Sequence, residues 1–425
     1  MVFIYRQELL TDISIFTSQP KQCFYDELFL NINLNSVPLH NAEPGRKGAT
    51  KHAFICAFIV MKCEGFSQIS DLHDYLTNNL IIAYYCGFDI FKQLPSYASF
   101  TRFLRNFDND ILQKLMKDAV LKCVDLKLIS NSFIALDATP VKANVCNNNP
   151  KSFSSNKFTK GGQPKADKDC RLGVQTAYNQ KNEQKFEFYW GYKNHILADC
   201  KSGLPICEIT TGANVSDSAV TLDILEKTND FLPLKNCNFL ADKAYDVKKI
   251  YNTVKDIYGG KCFIPINTRN TKNPAKMPIE TPICEGGLLM HKCGTFSDNG
   301  RTRQKFCCPF KNSKKGCCPC NHKSFNNGKK NRGCTKYFTL PDDYRLQIDR
   351  NSIVFKSIYS LRTEVERYNS RFKTAGCERV FVRNGKSVKN INTLAHISLL
   401  SIAIATVVTG KNISHRAIKS VKRLA

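Results

Sequence analysis

The chain has 425 residues, 42% of them hydrophobic, enough for two or three domains and at least one sizeable core. Lys plus Arg number 62 against 36 Asp plus Glu, a formal charge of +26 with a pI near 9.4. That excess points to a polyanionic partner, since phosphate neutralisation is the commonest use of a basic surface; a basic enzyme from a Lys- and Asn-rich proteome would share it.

MVFIYRQELLTDISIF at the N-terminus has no basic region followed by an apolar run, so no secretory signal is expected. Residues 1–128 read as a helical N-terminal region. Pro44 to Gly48 (PGRKG) is a turn signal before the apolar, helically spaced Ala49 to Cys63, and two further helical patterns follow. In Leu94 to Phe107, Ser96 or Ser99 is a candidate N-cap, and Arg102 and Arg105 lie three apart on one side as candidate DNA contacts.

The texture changes at residue 129. Phe133 to Leu136 reads as a short strand ending in Asp137, with Pro140 just beyond. Asn147 to Lys168 is a polar stretch expected to be a loop. Phe186 onward gives two strands joined at Ser202-Gly203-Leu204-Pro205, then a helix begun by Ser216 or Asp217. The stretch from Cys237 (CNFLADKAYD) is a second apolar run ending in a carboxylate, Asp242, and Lys261 to Arg269 a further strand. His195 is expected to be a strand-end histidine rather than a base. This order suits an α/β mixed sheet with flanking helices, its carboxylates at strand C-termini where loops carry chemistry.

Residues 271–350 read as a Cys-rich basic insertion between a first core segment, 129–270, and a second, 351–425. Eleven Lys or Arg and no Asp or Glu lie between Arg301 and Lys336. Eight of the 20 cysteines fall here, at Cys284, Cys293, Cys307, Cys308, Cys317, Cys318, Cys320 and Cys334. With His291 and His322 nearby they are candidate Zn²⁺ ligands, although the doublets equally suit reduced thiols in a loop. Reduced thiols are the expectation throughout, a disulfide framework not being expected without export. Leu394 to Gly410 is apolar but has only 17 residues, short of the ~20 that span a bilayer, so a buried core helix and no membrane are expected.

Tyr359 to Lys373 (YSLRTEVERYNSRFK) reads as one helix. At ~100° per residue, Arg362, Glu366 and Lys373 fall near ~300°, ~340° and ~320° of Tyr359, whereas Glu364 falls near ~140°, on the other side. One row of an aromatic, two cations and one carboxylate suits a surface that grips phosphates while the carboxylate faces a metal. A solvated helix with an Arg362–Glu366 pair at i, i+4 explains the same spacing. Asp137, Asp242 and Glu366 together form an oxygen-only set suited to Mg²⁺ or Mn²⁺, and two such ions ~4 Å apart serve phosphodiester chemistry. Taken singly, Asp137 could be a turn cap and Asp242 a helix N-cap.

These residues resemble DDE transposases of prokaryotic insertion sequences. Tyr359, Arg362, Glu366 and Lys373 match the Tyr-x2-Arg-x3-Glu-x6-Lys signature of one large group, and the segments around Asp137 and Asp242 resemble its two Asp segments. The likeness covers most of the chain. It implies an RNase H-like core interrupted by an insertion before the Glu-bearing helix. Asp137, Asp242 and Glu366 would hold the divalent ions, and Tyr359, Arg362 and Lys373 would contact phosphates. The implied reaction is hydrolysis at the element's ends, then strand transfer into target double-stranded DNA by a homodimer in the cytoplasm, at the nucleoid. A non-catalytic DNA-binding derivative and a general nuclease are the alternatives. Some relatives stack a Trp of the insertion on a flipped base; the one Trp here is Trp190, before the second Asp, which leaves Phe296, Phe306 or Phe325 for any such role.

Overall fold

The computed structural model describes residues 18–410, apart from 43, 46, 147–149, 154–161, 179–183, 268–280, 299–300, 312–332 and 341–342. It divides into two compact units, one of Met1–Leu240 with Arg362–Ala425 and one of Ala241–Leu361.

In the first unit six helices come first: α1 (Pro20–Leu30), α2 (Lys51–Cys63), α3 (Ile69–Asn78), α4 (Leu80–Cys86), α5 (Tyr97–Asn106) and α6 (Asn109–Asp125). Thr50 caps α2 by accepting from the Ala53 N–H at 3.1 Å, satisfying one orphan donor of its first turn. Aromatic rings knit α2 to α5, Phe54 meeting Phe100 edge-on at 5.0 Å and stacking on Phe103 at 5.2 Å. Ser96 flanks α5 at its N-cap without a side-chain cap bond.

The sheet follows, with β1 (Phe133–Lys142), β2 (Arg171–Tyr178), β3 (Gln184–Asp199) and β4 (Pro205–Gly212), then α7 (Thr221–Asn229) and β5 (Asn238–Leu240). A short 3₁₀ turn, Asp217–Ala219, precedes α7. β3 pairs antiparallel with β1, from Ile134↔Asp199 to Lys142↔Gly191, while β5 pairs parallel with β1 at Phe133↔Asn238 to Ala135↔Leu240. The first half of the long β3 pairs with β2 and the second half with β4, all antiparallel. The sheet is therefore mixed, as its sequence order implies. Ile134, Ala135 and Leu136 are buried in a row, as expected of a strand covered on both faces. Gly191 is required where β3 crosses β1, because a Cβ there would meet the Val141 carbonyl oxygen at 2.2 Å. Gly203, at φ +66°, supplies the left-handed turn between β3 and β4.

Three sequence expectations are corrected here. Asp137 lies in the middle of β1, not at its C-terminal end, because the strand continues through Pro140 to Lys142. Pro140 is tolerated because the backbone N–H two residues on, at Lys142, points away from β3 to the Glu378 carbonyl, and β5 has already ended at that height. β2 is a strand that the sequence pattern did not reveal. His195 is interior to β3, paired with Ala138 and Ile209, rather than at a strand end.

Two helices from beyond the second unit complete the first: α11 (Thr363–Phe372) and α12 (Gly385–Val408), the second unit's α8 to α10 being described below. α12 is the described helix long and apolar enough to cross a membrane, and 89% of its most apolar window is buried inside the protein. It packs against α2, α5, α6 and β4, so its apolar residues on all sides have protein neighbours. Three of its buried polar residues tie it to its neighbours. Asn390 donates to the Leu104 and Phe107 carbonyls at 2.8 and 2.9 Å, closing the C-terminus of α5. Thr393 donates to Glu208 at 2.7 Å, and His396 bonds both Tyr368 of α11 and Asn194 of β3.

The second unit holds α8 (Lys248–Asn252), β6 (Lys261–Phe263), α9 (Tyr344–Gln347) and α10 (Ile353–Tyr359), with an antiparallel sheet β7-β8-β9 (His291–Asp298, Arg301–Cys307, Thr335–Thr339). Buried Asp246 organises it by pairing with Arg345 at 3.2 Å and accepting from the Tyr251 hydroxyl at 3.0 Å. Cys284, Met290, Phe306, Cys308 and Cys334 form a small buried cluster beside β8. Every cysteine among the described residues is a free thiol.

Burial pushes the pKa of both His195 and His396 down to about 4, with nearby Asp217 and Glu208 respectively opposing it. Between about 6.5 and 4 the unfolded chain binds protons that the fold refuses, so this stability is present above pH ~6.5 and lost as pH falls. Unfolding free energies from urea titrations between pH 7 and 4.5 should therefore decline, and that of His396→Gln should decline less steeply, by up to ~1.4 kcal/mol per pH unit.

Candidate functional site

Two residues, Arg362 of the leading turn and Asn369 of α11, reach one carboxylate of β1, and Arg362 links it to Glu366. α11 packs across β1 and β3, and its amphipathic pattern buries Val365, Tyr368 and Phe372 while leaving Glu366 on the rim. Arg362 Nη2 donates to Glu366 Oε1 at 2.5 Å, and Arg362 Nη1 stands 4.0 Å from Asp137 Oδ1. Asn369 Nδ2 donates to Asp137 Oδ2 at 3.0 Å. Two carboxylates 229 positions apart thus share one guanidinium (Asp137 and Glu366). Their exposures differ, 21% for Asp137 against 52% for Glu366, so the pair opens to solvent on the Glu366 side.

Tyr359 to Lys373 is not one helix. α10 ends at Tyr359, a 3₁₀ turn spans Ser360–Arg362, α11 follows, and a π turn begins at Lys373. The Ser360 hydroxyl donates to the Ser357 carbonyl at 2.7 Å, local bonding of the kind that competes with a continuous helix. The boundary between the two units falls in this turn, between Leu361 and Arg362. Tyr359 belongs to the second unit, where it stacks on Phe355 at 5.8 Å. Lys373 is half-buried in the first unit. Glu364 is buried on the other side of α11, bonded by Arg367, and a Cβ at Gly203 would stand 3.0 Å from its Oε2.

Asp242 follows β5 by two residues and belongs to the second unit. Its Oδ1 accepts from the Ala244 N–H at 2.7 Å, capping the 3₁₀ turn Lys243–Tyr245, which leaves its second oxygen for other work. Among the described residues, no three His, Cys, Asp or Glu side chains gather as a ready metal-holding group. What the first unit offers is an all-oxygen set in Asp137, Glu366 and the carbonyl of Asn369. That carbonyl oxygen is buried with no hydrogen-bond partner, a group that an added donor or cation would satisfy. By donor chemistry the set fits a hard divalent ion.

The thiols meet in pairs, Cys284 with Cys334 and Cys293 with Cys307. Cys317, Cys318, Cys320, His322 and Phe325 lie outside the described residues. Phe306 is buried in the thiol cluster and so withdrawn from base stacking, whereas Phe296 is 38% exposed and lies edge-on to Tyr337 at 5.5 Å. Trp190 is buried against Phe153. Arg102 and Arg105 are both exposed on α5, opposite its buried Phe100, Phe103 and Leu104.

Asn369 is the residue that sequence reasoning missed. It sits three positions after Glu366, a spacing that puts both on one helix face, but an Asn in a polar helix carries no signal by itself.

The family described as Transposase DDE domain matches residues 130–400, more than half of the chain. Among solved structures, the cryo-EM structure of a piggyBac transposase synaptic complex with hairpin DNA is similar at 12% identity and a TM-score of 0.41, covering 96% of this chain and 79% of that one. A Mos1 transposase paired-end complex with the left transposon end is similar at 11% identity and a TM-score of 0.17, covering 52% of this chain and 61% of that one. No curated protein matches.

Because the Arg362–Glu366 pair is more than a third exposed on the Glu366 side, it contributes at most about 1 kcal/mol. Glu366→Gln should lower the unfolding free energy from urea titration by no more than that; a larger loss would show Glu366 to be a structural residue.

Proposed function

Given that the chain belongs to the Transposase DDE domain family, we propose that it is a metal-dependent DNA transposase of a prokaryotic insertion sequence, cutting the element's ends and joining them to target DNA. The observation that carries this reading is the convergence of Asp137 and Glu366, from β1 and α11, on the single guanidinium of Arg362. Order β4-β3-β1-β5, antiparallel pairs followed by a parallel one, supports an RNase H-like core.

In this reading Asp137, Asp242 and Glu366 hold Mg²⁺ or Mn²⁺. When bound, such ions would supply Lewis-acid stabilisation in phosphodiester chemistry. Asn369 holds Asp137 in one orientation through its amide, so the carboxylate need not reorganise. Arg362 offsets the repulsion between Asp137 and Glu366 and, with its fork of donors, suits a DNA phosphate as well. Tyr359, Lys373, Arg102 and Arg105 serve as further DNA contacts. A homodimer joins two ends, in the cytoplasm at the nucleoid. Zinc in the basic 271–350 segment would draw on its thiols, of which the described ones supply only pairs.

The test is cleavage of a labelled duplex carrying the gene's own flanking ends, with Mg²⁺ or Mn²⁺, by wild type and Glu366→Gln. Specific end cleavage, reduced at least ~100-fold in the variant, is the expected result. End binding without cleavage by the wild type would mark a non-catalytic DNA-binding protein. Cleavage indifferent to the end sequence would mark a general nuclease.

A further inference from the structure

The C-terminal end of β1 is extended by residues 378–380, outside the Asp137–Glu366 site. The Lys142 N–H donates to the Glu378 carbonyl at 2.9 Å and the Val380 N–H to the Lys142 carbonyl at 3.0 Å, so residues 378–380 lie parallel to the strand end. Asn144 adds a side-chain bond to the Phe381 carbonyl at 3.3 Å. This staple fixes Arg379 and Arg383 to the strand that carries Asp137.

Both arginines are exposed and line one cleft of about 450 Å³, with Asn144, Ser152 and Pro164 among its other walls. Arg379 lies over the Phe381 ring at 5.4 Å, which restricts its side chain. Among the described residues neither guanidinium has a carboxylate or hydrogen-bond partner. The neighbouring acids are otherwise engaged, Asp167 by the Tyr192 hydroxyl at 2.8 Å and Asp169 by the Gly385 N–H at 2.8 Å. Glu187, also exposed, is engaged by Lys142 at 2.9 Å, and exposed Glu378 precedes Arg379. Two unpaired forks in a cleft of nucleotide size match phosphate oxygens in charge and geometry.

We propose that the Arg379–Arg383 cleft is a binding site for the phosphodiester backbone of duplex DNA, flanking the reacting phosphate. Five residues of strand separate Asp137 from Lys142, about 17 Å, the axial length of about five base pairs. The cleft therefore holds the duplex to one side of the site and reads no bases. This rests on the proposed action on DNA.

The test is the salt dependence of binding, by fluorescence anisotropy in EDTA, of the full chain to an end duplex and to an unrelated duplex of equal length. Arg379→Ala/Arg383→Ala should make the slope of log K against log[salt] shallower by about 1.8, at about 0.9 per phosphate contact, equally on both duplexes. Arg379→Lys/Arg383→Lys, which keeps both charges, should keep the wild-type slope. Should the alanine pair fail to fold, Arg379→Gln and Arg383→Gln singly, each worth about 0.9 in slope, carry the same test. An unchanged slope, or a loss confined to the end duplex, overturns the proposal. Failure of the cleft leaves wild-type end cleavage intact, whereas failure of the transposase reading abolishes cleavage in the wild type itself.

Discussion

Glu208 is the constraint on which the first unit depends. Its carboxylate is 1% exposed in β4 and is bonded by Gln113 of α6, Asn194 of β3, and Thr210 and Thr393 of β4 and α12. A buried carboxylate costs several kcal/mol unless its oxygens are fully paired, so each donor is held where it is. Asn194 passes the constraint on: it bonds His396, and His396 bonds Tyr368 of α11. With Nε2–H donated to the Asn194 carbonyl, Nδ1 accepts from Tyr368, so a neutral ring satisfies both partners. The same burial that depresses the His396 pKa thereby orients the helix bearing Glu366 and Asn369.

That orientation explains how a rim site with few contacts of its own can be well defined. Arg362, Glu366 and Asn369 occupy the polar side of a helix whose apolar side is locked by Val365, Tyr368 and Phe372. Asp137 is locked from beneath by pairing of β1 with β3 through Ile196. These polar groups need supply little binding energy to one another, and Glu366 stays 52% exposed beside Arg362. Placing such groups on rigid elements supports polar chemistry without reorganisation.

Basic charge is distributed to match. Arg102 and Arg105 are exposed on α5, Arg379 and Arg383 at the end of β1, and β8 carries Arg301, Arg303 and Lys305 in the other unit. Arg303 and Lys305 both lie over Tyr337, at 5.7 Å each, so the second unit too joins cations to an aromatic face. In the proposed action on DNA, cations dispersed in this way would act through phosphates and set affinity and its salt dependence.

Local patterning decided the features that depend on near neighbours in the chain. The i, i+4 spacing of Arg362 and Glu366, the separate face of Glu364, the apolar run that became α12 and the mixed strand order were legible for that reason. Tertiary structure decided what depends on distant partners. β2 is a strand because β3 offers it an edge, β1 runs through Pro140 because the missing N–H faces away from β3 at a height β5 does not reach, and Asn369 matters because Asp137 lies within bonding distance. None of these is encoded in periodicity, since a hydrogen bond across 232 positions of sequence leaves no trace in the spacing of either residue's neighbours.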